Sequence, residues 1–214
     1  MKIPNSSSLP VSSGNPCPFL RALVADGKLA DDVEPIGNLA RVIAKVAKAG
    51  EGAPVLPAAA IYGIAMVANG YGPLSVLRST TEGVQLNALR NGPLDKKGAG
   101  SRILDAAGKV DAKQLVRLSE FASLKTSTNG QSEGQSEPGL DLAEITRFMD
   151  ANFERAKQAN GQRRLIDRAL MNGEFPILLK VMGKDGPNGR YLSVADVHAL
   201  FAERRLPQRM VGQR

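Results

Sequence analysis

The 214 residues include no tryptophan, one histidine and one cysteine, and each scarcity excludes something. A single cysteine cannot form a disulfide within the chain. One cysteine and one histidine cannot supply the four protein ligands of a structural zinc site. A cysteine protease needs a histidine base beside its sulfur, whereas His198 lies on a helical segment far along the chain from Cys17. Long apolar runs are also missing. The best of them, 56–69, falls short of the roughly 18 to 20 residues a membrane span requires and is interrupted by Pro57, Tyr62 and Gly63. The chain opens without a basic stretch and a following apolar run, so a secretory leader is not expected and the cytoplasm is the expected compartment. With no tryptophan and three tyrosines, little is available to stack nucleic-acid bases. The formal net charge of +7 is spread in ones and twos, densest at Arg204, Arg205 and Arg209. It reads as solvated helix faces and a basic tail rather than a nucleic-acid surface.

What is present is helical periodicity. Residues 1–15 are rich in serine and proline and form an expected flexible N-terminal arm. Residues 16–214 are expected to make one all-α domain of about seven to nine helices enclosing a cofactor pocket. Leu20, Leu23 and Val24 recur at helical spacing, as do Ile36, Leu39, Ala40, Ile43 and Val46. The segment 58–68 is apolar nearly all round and predicts a central buried helix after Pro57. Further helical pattern covers 74–89 and 115–124. The polar stretch 125–139 is expected as a mobile surface loop. Three segments share a glycine turn, an apolar residue and a capping residue before a helix: Gly108 to Asp111, Gly139 to Asp141 and Gly189 to Ser193. They resemble the exit half of a calcium-binding helix-loop-helix, but the loops before them lack its alternating carboxylates and closing glutamate.

Cys17 stands between Pro16 and Pro18, directly before an amphipathic helix that Gly27 can end. Pro18 suits the first helical position, where a missing N–H costs nothing. Cys17 then occupies the cap, where free N–H groups and the helix dipole favour thiolate. An inert buried cysteine is the competing reading.

Pro16-Cys17-Pro18, followed by Leu20, Ala22, Leu23, Gly27 and Leu29, resembles the ligand segment of the haem-thiolate peroxidases, the chloroperoxidase and unspecific peroxygenase family. Arg21 and Asp26 replace that family's usual asparagine and histidine. The resemblance implies haem b, with Cys17 as the proximal iron ligand and Pro16 and Pro18 beside it. The stretch 86–102 is similar to the family segment that holds magnesium against a haem propionate. Asp95 stands there where a glutamate belongs, and Lys96 and Lys97 replace the next two motif residues. The implication is that magnesium is absent and that an ammonium group supplies its charge. Glu174, in Asn172-Gly173-Glu174-Phe175-Pro176, matches the distal glutamate, with Lys96 or Arg168 as a cation that would keep it ionised.

The function implied is oxidation or oxygenation of a small organic substrate by hydrogen peroxide, with Glu174 as acid and base, assisted by Lys96. Phe148, Phe153 and Phe175 are the candidate pocket walls. The expected partners are that substrate and peroxide, with no membrane and no nucleic acid, and a homodimer is compatible with the chain. Two alternatives stay open: a non-catalytic haem protein of the same fold, acting as sensor or carrier, and a helical interaction module without haem in which Cys17 is structural.

Overall fold

The computed structural model describes residues 9–48, 61, 62, 64, 65, 70, 83–90, 100–105, 107–160 and 174–211. Seven α-helices fall within them: α1 (Pro18–Ala25), α2 (Ile36–Lys48), α3 (Ala112–Glu120), α4 (Leu142–Asn160), α5 (Glu174–Met182), α6 (Val194–Ala202) and α7 (Gln208–Val211). Six strands join them: β1 (Val33–Glu34), β2 (Val84–Gln85), β3 (Ser123–Thr126), β4 (Ser136–Leu140), β5 (Lys184–Gly186) and β6 (Gly189–Ser193).

The fold is therefore mixed, and the all-α expectation is wrong. Strands β1 and β2 pair antiparallel, and the other four form a sheet in the order β3-β4-β6-β5. Together the described residues are 53% helical and 16% strand. The sheet escaped the sequence pattern because its strands have two to five residues, too few to display alternation, and carry glycine, proline and lysine in place of β-branched residues.

The expected loop over 125–139 is the largest local correction. It forms a hairpin, with Leu124 opposite Pro138 and Thr126 opposite Ser136. Its tip is stitched rather than loose. Ser127 N–H donates to Gln135 O at 3.0 Å, Gly134 N–H to Ser127 O at 2.9 Å and Thr128 N–H to Asp185 O at 2.9 Å. The Asn129 amide also donates to Asp185 Oδ2 at 2.6 Å. Polarity here means short strands and a turn satisfied by hydrogen bonds, not a missing structure. The helix expected over 115–124 instead runs over Ala112–Glu120, leaving Ser123 and Leu124 to β3. Within the helix expected over 74–89, the described end is β2 followed by a 3-10 turn at Leu86–Ala88. Of the expected central helix, the described residues 61, 62, 64 and 65 are helical.

Local signals did set the helix ends. Gly27, at φ +68°, closes α1: its N–H donates to Val24 O, and the Lys28 N–H reaches back to Leu23 O. Asp111 caps α3 by accepting from the N–H groups of Lys113 and Gln114. Asp141 and Glu144 form a reciprocal capping box at α4, at 2.9 and 3.0 Å, and the Lys125 ammonium bridges both carboxylates. Ser193 differs. Its hydroxyl makes no cap and donates instead to Glu137 Oε2 at 2.6 Å.

Two of the three glycine-turn segments pair with each other, Gly139 opposite Ser193 and Leu140 opposite Leu192, so the antiparallel ends of β4 and β6 lead into α4 and α6. Arg190, on β6, ties that strand to β5 and to the end of α5. Its guanidinium donates to Asp185 Oδ1 at 2.7 Å and to the carbonyls of Gly183 and Leu179. The helices α4, α5 and α6 pack on the sheet, and α1 packs against α6. Phe121, Phe148, Phe175 and Phe201 run through this core as a chain of ring contacts with centroids 5.6 to 6.1 Å apart.

The described part of the N-terminal arm is anchored. Leu9 N–H donates to Ala25 O at 3.0 Å, Ser12 N–H to Asp31 Oδ2 at 2.8 Å, and Gly14 O accepts from Arg90 N–H at 2.8 Å. Gly14 passes so close to Asn87 that a Cβ would lie 1.7 Å from its carbonyl oxygen. Gly14→Ala must therefore shift the arm or the 3-10 turn. The expected cost is about 1–3 kcal/mol of unfolding free energy, read by denaturant titration, with faster amide exchange over residues 12–15.

Candidate functional site around Cys17 and Glu174

Cys17 is the N-cap of α1, as its sequence context predicts. Its backbone is extended (φ −80°, ψ 114°), Pro18 begins the helix, and the sulfur makes no capping hydrogen bond. Pro18 is buried, Pro16 and Cys17 are half-buried, and Cys17 packs against the hydrophobic core. The turn that presents it is held by Asn15, whose Oδ1 accepts the Cys17 N–H at 3.2 Å. Asn15 is fixed in turn by the Arg21 guanidinium, which donates to Asn15 O at 3.1 Å, Ser12 O at 2.8 Å and Gly108 O at 3.2 Å.

The electrostatic outcome differs from the expectation that the cap would favour thiolate. Burial pushes the Cys17 thiol up, the N–H groups of Leu20 and Phe19 pull it down, and the Glu174 carboxylate raises it further. Burial wins, so the free sulfur holds its proton.

Glu174 is the first residue of α5. Its carboxylate accepts from Ser101 N–H at 3.1 Å and from Ser101 Oγ at 3.3 Å. Gly100, at φ +79°, brings the chain so close that a Cβ there would lie 3.1 Å from Glu174 Oε2. Ser101 is held from behind by the buried Asn152 side chain, whose amide donates to Ser101 O at 3.1 Å, and Arg117 donates to Asn152 Oδ1 at 3.1 Å. The carboxylate is thus aimed by a relay through Ser101, Asn152 and Arg117, none of which the sequence had marked for this role. A buried asparagine on an otherwise apolar helix face was the readable signal for Asn152. For Arg21 the signal was a charge on the apolar stripe of α1.

The remaining candidates divide. Phe148 and Phe175 are fully buried and Phe153 nearly so, all within the common core. His198 is 58% exposed and lies 3.8 Å from Glu203, consistent with the expectation that it is not Cys17's base. Asp95, Lys96, Lys97 and Arg168 lie outside the described residues. Among the described residues, no three His, Cys, Asp or Glu side chains are grouped to hold a metal ion, and no helix is long and apolar enough to cross a membrane. Compared with known proteins, the chain matches no family model and no curated protein.

Proposed function

We propose that the protein is a haem-thiolate peroxidase or peroxygenase that uses hydrogen peroxide to oxidise or oxygenate a small organic substrate. Cys17 is its iron ligand and Glu174 its acid-base residue. What supports the reading is the placement of the lone cysteine at the N-terminus of α1 and of the Glu174 carboxylate, held by Ser101, at the start of α5.

The support at the sulfur is local to its helix. Cys17 stands at the positive end of a helix and is stiffened by two prolines. It gives up its proton on coordination, because a metal cation outweighs the burial that otherwise protonates it. When bound, haem with a thiolate ligand supplies the electron push that favours cleavage of an O–O bond. With the group bound, Glu174 would be the residue that takes up and returns the peroxide proton, its carboxylate held still by the Ser101 N–H and hydroxyl. By the same resemblance, Lys96 and Lys97 would supply the positive charge that magnesium supplies in that family, with Asp95 at its glutamate position.

A second reading rests on the same contacts. Two hydrogen bonds from Ser101 make Glu174 a structural tie as well as a base, which favours a haem protein without oxygen transfer. The reduced, carbon-monoxide-bound spectrum tests what both readings share. The wild type should show the strongly red-shifted main band of a thiolate ligand, and Cys17→Ala should lose it while keeping its far-ultraviolet helical signal. A wild-type band at the position histidine ligation gives, or an unchanged band in Cys17→Ala, removes both readings.

A further inference from the structure

We infer that Arg21 and Asn15 are positioning residues that hold the Cys17 sulfur in place, an inference that rests on Cys17 being the working sulfur of the proposed function. Arg21 is only 5% exposed, yet its guanidinium donates to neutral carbonyls, on the arm at Ser12 and Asn15 and on the turn at Gly108. A buried guanidinium ordinarily meets a carboxylate, and one bonded to carbonyls alone is a costly way to close a loop. Its planar fork reaches three separate carbonyls that a lysine ammonium, a point donor, cannot match together.

Asn15 is fully buried and links this fork to Cys17, since its carbonyl takes the guanidinium and its Oδ1 takes the Cys17 N–H. Both residues also retain a buried N–H without an acceptor, Nδ2 of Asn15 and Nε of Arg21. Unpaired buried donors are rare, and two in one bracket mark a conformation kept for more than packing. Arg90 donates to the neighbouring Ser13 carbonyl at 3.3 Å, so the arm has a further anchor that does not pass through Asn15. The bracket thereby fixes the backbone at Cys17 independently of how firmly the rest of the arm is tied.

Because Cys17 is the sole cysteine, its alkylation by iodoacetamide in the haem-free full chain reads the bracket directly. At a fixed pH, Arg21→Lys and Asn15→Ala should each raise the alkylation rate about tenfold, since each removes buried hydrogen bonds that hold the turn closed. Ile145→Val, in the core of α4 and away from this turn, supplies a control that lowers Tm without touching the bracket. It should leave the rate within about twofold of wild type. If Arg21→Lys fails to fold, Asn15→Ala alone decides. Wild-type rates in the folded bracket variants overturn the inference, as does an equal rise in Ile145→Val.

In haem-loaded protein, Arg21→Lys should also move part of the carbon-monoxide band away from the thiolate position, whereas Ile145→Val should not. An unmoved band in Arg21→Lys counts against positioning. A wild type that never shows the thiolate band overturns the haem reading, while the alkylation result still judges the bracket.

Discussion

Replacing Glu174 with glutamine is expected to lower peroxide-dependent oxidation on the order of 100-fold or more while haem binding persists. The substitution is clean because of how the carboxylate is held. The glutamine carbonyl can still accept the Ser101 N–H, and its amide can donate to the Ser101 hydroxyl, which accepts as readily as it donates. Position is kept and only basicity is lost. Steady-state oxidation of a small phenol, with haem occupancy measured on the same sample, provides the check. Wild-type rates would show that Glu174 is a structural tie and leave the non-catalytic haem protein as the surviving reading.

The second large effect concerns the sheet. Glu137 on β4 accepts from the Lys184 ammonium at 2.5 Å, the Tyr191 hydroxyl at 3.1 Å and the Ser193 hydroxyl at 2.6 Å. Lys184, Tyr191 and Ser193 are all buried. Glu137→Ala strands an ammonium and two hydroxyls, and the unfolding free energy should fall by about 3–5 kcal/mol. Glu137→Gln should cost less, because it still accepts one hydrogen bond.

The same network has two pH limits. Burial alone would raise the Glu137 carboxyl, but the Lys184 and Ser193 hydrogen bonds, the Lys184 charge and Tyr191 outweigh it and hold it below the usual carboxylate range. Its contribution is therefore complete above the ordinary carboxylate value and is lost as pH falls through the depressed one. Burial and the Glu137 charge push Tyr191 up to about 12, so its contribution is complete below the ordinary tyrosine value and is lost as pH rises through 12. Denaturant midpoints across pH should decline on both sides. In Glu137→Gln the acid-side decline should be shallower, although Asp141 and Glu144, also held below their usual range, keep part of it. An unchanged acid limb would mean that this network does not govern acid stability.

What could be read from the sequence was what a few neighbouring residues decide. Pro18 and Gly27 bounded α1, Asp111 and Asp141 placed the starts of α3 and α4, and the setting of Cys17 put it at a cap. The sheet was not legible because its pairings depend on distant partners. Nothing within Ser136–Leu140 announces that Gly139 will face Ser193. The shared form of the glycine-turn segments was visible, yet a repeated local shape does not say which copies meet. The candidate site shows the same division. Cys17 could be singled out from its own neighbours, whereas Ser101, Asn152 and Arg117 gain their part only by packing behind Glu174. Lysine and glutamate on short strands also concealed the Glu137 network, since buried charges become readable only once their partners are known.

The packing of α1 against α6 has a consequence for the order of folding. Translation releases Pro18–Ala25 before Val194–Ala202, which leaves the ribosome only after the whole intervening chain. The hairpin of β3 and β4 closes over a short loop and can form as soon as it emerges, but β6 must wait for the distant loop closure that seats it beside β4. During that interval the first helix lacks the surface of α6, and its sulfur is less protected from oxidants in the nascent chain. Synthesis under oxidative stress should therefore yield a fraction of molecules with Cys17 already oxidised, while the completed protein, with the helix docked, resists the same oxidant.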